Sequence, residues 1–101
     1  MRIISQNGLI SVPFEMTAIH ANGTFIRMNM AGNTREGIII AEYNTLEKVE
    51  KAIQLLHEAY IVNENFKKMD AELQLQILGC AEKETQLKYG GIFQFPKEED
   101  L

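Results

Sequence analysis

The chain has 101 residues, of which 46% are hydrophobic and 24% are charged. This length predicts one domain, residues 1–101, and this composition excludes the disordered, collagen-like and low-complexity classes. The net charge of −4 leaves no basic face of the kind by which nucleic-acid-binding proteins attract their ligand, so we expect no direct contact with nucleic acid.

The sequence also indicates a compartment. No apolar run approaches the roughly 18 residues that a membrane span needs, and the N-terminus becomes polar too early for a signal peptide. The single cysteine, Cys80, excludes an intramolecular disulfide and favours a reducing environment. We therefore expect a cytoplasmic protein without membrane contact.

The first 44 residues predict an antiparallel β-meander. The Asn-Gly pairs at 7–8 and 22–23 predict two hairpins, the first with a type I′ turn, because both residues tolerate positive φ. Pro13 predicts that the second strand ends, bends or lies at an edge. The apolar run at 38–43 predicts a central strand that is covered on both faces. The predicted strands are residues 2–6, 9–12, 16–21, 24–30, 38–43 and, near the C-terminus, 92–95.

A helix is predicted at residues 45–61. Asn44 or Thr45 provides its N-terminal cap, and the polar stretch at 63–65 predicts a break after it. From this point the apolar residues recur every three or four residues instead of every second residue, which is the spacing of an amphipathic helix. The apolar stripe comprises Leu46, Val49, Ile53, Leu56 and Tyr60.

A second helix is predicted at residues 70–87, with Asp70 as its cap. The Leu, Gln, Glu and Ala content favours a helix. The alternation of Leu73, Leu75 and Ile77 with glutamines is typical of a strand instead, and this alternative stays open.

Together these elements predict an α+β fold. It has a largely antiparallel meander of five or six strands, packed by the helix at 45–61 and by the second helix at 70–87. The predicted core consists of Ile4, Ile10, Ile19, Ile26, Met28, Ile38, Ile40, Val49, Ile53, Leu56 and Phe93.

The residue types that support catalysis are not clustered in the sequence. His20 and His57 have no ligand neighbours at metal spacing, and Cys80 has no adjacent cation that would lower its pKa. We therefore predict no catalytic residue, no metal and no cofactor. The loop at 31–37 is the one candidate for anion binding, although it lacks the lysine of a phosphate-binding loop. Its candidate residues are Asn33, Thr34 and Arg35.

Charge is distributed unevenly along the chain. Residues 1–44 carry three arginines and three glutamates, whereas residues 45–101 carry seven lysines and eleven acids. The whole net charge therefore lies in the second part, where it suits a basic protein partner. The candidate partner-binding residues are Glu47, Glu50, Glu58, Glu82 and Glu84.

Three segments resemble a family of small proteins encoded by prophages and conjugative elements of Firmicutes. The segments are IISQNGLISVPFE (3–15), IIAEYNTLEKVEKAIQLLHEAY (39–60) and IFQFPKEED (92–100). The family pattern reads ISQDG, VPYE, AEYSTEEKAxKAMExLRxAY and FQFPxDE. This chain departs from it at Asn7, Phe14 and Leu46, where the family has Asp, Tyr and an acid. The family has no assigned activity, so the resemblance implies only a mobile-element protein that acts inside a bacterial cell.

The leading hypothesis from the sequence is a small non-catalytic binding protein of a phage or mobile element. Such a protein occupies the surface of a host protein, including a basic nucleic-acid-handling protein of a defence system, as anti-CRISPR proteins do. One alternative is a small-ligand or nucleotide-sequestering homo-oligomer built around the loop at 31–37. Another is a structural or regulatory module of the mobile element.

Overall fold

The computed structural model describes residues 1–30, 37–80 and 91–101. Strands precede and follow a pair of helices, and one-turn 3-10 helices lie at Phe14–Met16 and Glu98–Asp100. The α+β class is therefore confirmed. The elements are β1 (Arg2–Ile4), β2 (Ser11–Pro13), β3 (Thr17–Asn22), β4 (Phe25–Met30), β5 (Ile38–Glu42), α1 (Leu46–Lys67), α2 (Ala71–Cys80) and β6 (Ile92–Gln94).

The described strands form two sheets of three strands each, in the orders β2-β1-β6 and β3-β4-β5. All pairings are antiparallel except that of β1 with β6, which joins the two ends of the chain in parallel. Pro13 ends an edge strand, as predicted, because proline cannot donate to a ladder. The central position predicted for 38–43 is wrong, since β5 lies at an edge.

The two Asn-Gly pairs form different turns. In the second hairpin Asn22 pairs with Phe25 across a two-residue connection, and Gly23 has a φ of 63°. The type I′ turn predicted at 7–8 is wrong, because only Gly8 has positive φ. The Asn7 side chain instead accepts hydrogen bonds from the backbone N–H of Leu9 and from a serine hydroxyl. This side-chain bond shapes the turn without positive φ at the asparagine.

A β-bulge explains why one predicted core residue is exposed. The register of β5 shifts opposite the step from Ile26 to Arg27 of β4. The shift breaks the alternation of faces, so that Ile40 and Ala41 are both buried. Ile38, predicted in the core, is 55% exposed.

Most of the predicted core is confirmed. Ile3 rather than Ile4 is the fully buried residue of β1, so the predicted phase of that strand is wrong. Ile10, Ile19 and Ile53 are partly buried against the core. The predicted residues that are fully buried are Ile26, Met28, Ile40, Val49, Leu56 and Phe93.

Helix α1 begins as predicted and ends later than predicted. The Thr45 hydroxyl accepts a hydrogen bond from the backbone N–H of Lys48, which caps the first turn. The break predicted at 63–65 is wrong, because Asn63 is buried on the core side of a helix that continues to Lys67. The buried face of α1 consists of Val49, Ala52, Leu56, Ala59, Asn63 and Phe66.

Helix α2 is confirmed over Ala71–Cys80, and the strand alternative is excluded there. The Asp70 carboxylate accepts a hydrogen bond from the backbone N–H of Leu73 at 2.9 Å, the geometry expected of an N-cap. Positions 81–87 of the predicted helix lie outside the described residues. None of the described helices is long and apolar enough to cross a membrane.

Among the described glycines with positive φ, which are Gly8, Gly23 and Gly91, we expect Gly91 to be the most sensitive to substitution. Its φ is 81°, and a Cβ added there would lie 3.2 Å from the side-chain nitrogen of Asn63. Gly91→Ala therefore combines backbone strain with crowding, whereas Gly23→Ala adds only strain, because nothing lies within 4 Å. We expect Gly23→Ala to cost about 1 to 2 kcal/mol and Gly91→Ala to cost more. Urea denaturation of both variants measures the difference, and equal losses would contradict the crowding.

Candidate functional site

The candidate site is a groove of about 480 Å³ between the outer face of α1 and the end of β3. We call it the α1 groove. Among the described residues it contains apolar side chains, two carboxylates, an amide and an imidazole, and all of these but Ala21 come from α1. The residues that line it are Ala21, Val49, Glu50, Ile53, Gln54, His57, Glu58 and Ile61.

The apolar part of this face follows from the spacing of the sequence. Leu46, Ile53 and Ile61 recur at intervals of seven and eight residues, which places them on one side of a helix. Leu46 is 61% exposed and Ile61 is 58% exposed, although both are large and apolar. The stripe predicted from Leu46 to Tyr60 therefore combines two faces, and Leu46 belongs to the outer one.

The two carboxylates of the groove lie before and after Ile53 along the helix, and Ile61 follows the second of them. Glu50 and Glu58 are eight residues apart, which corresponds to about 12 Å along the axis of an α-helix. The Gln54 side-chain amide lies between them and donates to Glu58 at 3.4 Å. Within the described residues, no ion pair involves either glutamate. Their negative charge is therefore available to a partner.

Helix α1 lies beside both ends of β3. The rings of Phe14, just before β3, and Tyr60 of α1 have centroids 5.0 Å apart. Near the other end of β3, Ala21 lines the groove together with side chains of α1.

The structure brings together two of the candidate residues from the sequence. Glu50 and Glu58 line the α1 groove, whereas Glu47 is exposed in the first turn of α1 and does not. The remaining candidate residues lie outside the described part of the chain: Glu82, Glu84, Asn33, Thr34 and Arg35.

Sequence reasoning assigned no binding role to the other residues of the groove, which are Ala21, Val49, Ile53, Gln54, His57 and Ile61. The intervals of seven and eight residues that end at Ile61 were the signal for a second apolar face. Nothing in the sequence indicated that Ala21 would approach α1, because that contact depends on how the sheet packs.

A second cavity, of about 350 Å³, lies where the C-terminal segment meets the end of β5 and the two residues after it. The Tyr43 hydroxyl donates to the Pro96 carbonyl at 2.7 Å, and burial raises the pKa of Tyr43, with a smaller contribution from the charge of Glu98. Glu98 accepts from the Lys48 ammonium at 2.7 Å and from the Asn44 backbone N–H at 3.0 Å. These groups hold the C-terminus in place, so we assign this cavity a structural role.

The Glu98 contact predicts a pH-dependent loss of stability. The hydrogen bond from Lys48 holds the pKa of Glu98 below its usual value of 4.5. A carboxyl whose pKa is lowered by folding stabilises the protein above its unfolded pKa, and this contribution is lost as the pH falls through the folded pKa. Glu98→Gln should therefore destabilise the protein at neutral pH and change it least in acid. Thermal melts between about pH 7 and pH 3 measure this, and a loss that is independent of pH would contradict it.

The described residues contain no group of three or more His, Cys, Asp or Glu side chains that could hold a metal ion. No protein-family model, curated protein or solved structure matches the chain. The α1 groove and the charge of the chain are therefore the features that bear on function.

Proposed function

We propose that this chain is a small, non-catalytic protein-binding protein whose α1 groove engages a basic surface of its partner. One observation carries the proposal: the α1 groove combines apolar side chains, among them the exposed Ile61, with two carboxylates that no ion pair within the described residues engages. Apolar anchors surrounded by polar groups are typical of protein interfaces.

The charge of the chain supports a basic partner. All of the net charge of −4 lies in residues 45–101, which include α1. A surface of one sign increases the rate of encounter with a partner of opposite sign and suppresses other partners. A nucleic-acid-handling protein presents such a basic surface.

The resemblance of three segments to proteins of prophages and conjugative elements supports a more specific proposal. In a bacterial host, a protein with this acidic surface would block the basic groove of a defence nuclease, in the manner of an anti-CRISPR protein. The chemistry required is occupation of a surface, which needs no catalytic residue.

The experiment is affinity capture from the bacterial host with three proteins, followed by mass spectrometry. The wild-type chain is compared with Glu50→Lys/Glu58→Lys and with Glu47→Lys/Glu72→Lys, which makes the same change in charge outside the groove. We expect a basic host protein that the wild type and the second variant retain and the groove variant loses. Equal capture by the groove variant would contradict the proposal.

A further inference from the structure

The strand beside the α1 groove is an edge with little protection. Natural proteins protect edge strands with lysine, proline, a bulge or short length. β3 contains no lysine or proline, pairs with β4 without a bulge, and has six residues, whereas the other edge strands have three (β2 and β6) or five (β5).

The opposite edge of the same sheet is occupied. The backbone N–H of Gln6 donates to the Ile40 carbonyl at 2.8 Å. The Gln6 side-chain amide donates to the Glu42 carbonyl and accepts from the Glu42 N–H, each at 3.0 Å. Gln6 thus takes the place of a neighbouring strand at β5, and β3 has no such cover within the described residues.

The register of the hairpin shows which backbone groups β3 presents. Asn22 and Phe25 close a two-residue turn and so form a hydrogen-bonded pair. Since hydrogen-bonded and non-hydrogen-bonded pairs alternate in an antiparallel ladder, His20 also bonds to β4. Ile19 and Ala21 therefore direct their N–H and C=O groups toward the free edge.

The α1 groove lies on this side of the sheet. Its only residue from the sheet is Ala21, at the end of β3, and no residue of β4 or β5 lines it. A strand added beside β3 would place every second side chain toward α1, over the groove.

Spacing and charge then define the added strand. In a strand, side chains four residues apart point to the same face and lie about 13 Å apart. For a strand that lies along α1, this distance is close to the roughly 12 Å of axial rise from Glu50 to Glu58. The side chain midway between them would lie at the level of Ile53 and Gln54, which both line the groove.

We propose that β3 accepts a strand from the partner with the pattern basic-x-apolar-x-basic. The two basic side chains pair with Glu50 and Glu58, and the apolar side chain enters the groove. The backbone of the strand bonds to Ile19 and Ala21. This inference rests on the proposed function, because it describes how the same groove binds a partner. A second copy of the chain is a poorer occupant, because β3 offers no lysine or arginine for the two glutamates.

The probe is the blocked peptide Thr-Lys-Thr-Val-Thr-Lys-Thr. In the first control peptide, the amides along one edge of the strand carry N-methyl groups. In the second control peptide, the two lysines stand next to the valine, so that the charge is unchanged and the spacing is lost. We expect each change to weaken binding at least about tenfold, which corresponds to about 1.4 kcal/mol. Hydrogen exchange should slow at the amides of Ile19 and Ala21 only when the parent peptide is bound.

Two results overturn strand addition: no binding of the parent peptide at millimolar concentration, or equal binding of the parent and N-methylated peptides. A third is protection of Ile19 and Ala21 that rises with protein concentration alone, because it would make a second copy the occupant.

Variants of the full chain separate this inference from the proposed function. Ala21→Pro removes an edge N–H, and Ala21→Ser retains it as the matched control. Loss of the captured host protein with Ala21→Pro but not with Ala21→Ser supports both proposals. Retention by a folded Ala21→Pro variant, with loss in Glu50→Lys/Glu58→Lys, overturns strand addition and leaves the proposed function standing. Retention of the host protein by Ala21→Pro and by Glu50→Lys/Glu58→Lys overturns both proposals.

The peptide measurements use the unaltered chain. They therefore test strand addition even if Ala21→Pro does not fold.

Discussion

Leu56→Ala is expected to lower the free energy of unfolding by about 3 to 5 kcal/mol. Leu56 is 1% exposed and lies on the buried face of α1. It belongs to a core cluster of side chains from the sheets and the helix. Removing its branched end takes away apolar contact and leaves a cavity that a close-packed core fills only in part. For a domain of this length, that is a large part of the total stability.

Leu46→Ala is the matched control, since it makes the same chemical change on the same helix. Leu46 is exposed on the outer face, so the expected change is within about 0.5 kcal/mol. Chemical denaturation of both variants measures the contrast. Similar losses of unfolding free energy at the two positions would mean that the outer face of α1 packs against the rest of the chain. That face would then not be free for docking.

The contrast between these two leucines shows where the sequence is ambiguous. Both fit the intervals of three and four that predict an amphipathic helix, and period alone does not separate two adjacent apolar faces. Ala52 and Ala59 are the better markers of the core, because small side chains let the helix approach the sheets closely. Both are almost completely buried.

The local elements were predictable because their signals are local. The cap at Thr45, the cap at Asp70 and the turn after Asn22 each depend on residues within four positions along the chain. The predicted break at 63–65 failed for a non-local reason. Asn63 is polar in the sequence, but its amide is buried beside Gly91, far along the chain.

The pairing of β1 with β6 and the α1 groove have the same non-local origin. The parallel pair joins Ile3 to Phe93, and the groove joins Ala21 to α1. No periodicity within a segment specifies such contacts, because they follow from the packing of the complete chain. The negative charge of residues 45–101 was predictable from composition. The placement of Glu50 and Glu58 beside apolar side chains was not.

Charge reversal in the α1 groove is expected to change both rates of partner binding. Glu50→Lys/Glu58→Lys should slow association, because it weakens the attraction between oppositely charged surfaces. It should also speed dissociation, because in the proposed complex the two carboxylates lie beside the apolar contact and pair directly with the partner. Glu47→Lys/Glu72→Lys changes the net charge equally at exposed positions outside the groove, so it should slow association alone.

Salt provides the independent measurement of the same mechanism. The screening length falls from about 10 Å at 0.1 M salt to about 3 Å at 1 M, so long-range attraction is almost removed at the higher concentration. The association rate of the wild type should fall with salt toward that of the Glu47→Lys/Glu72→Lys variant. The faster dissociation of the Glu50→Lys/Glu58→Lys variant should persist at high salt, because direct contacts are screened less. Surface plasmon resonance against the captured partner measures both rates. Equal dissociation rates for the two variants would show that Glu50 and Glu58 act only through net charge, and that the partner does not dock in the α1 groove.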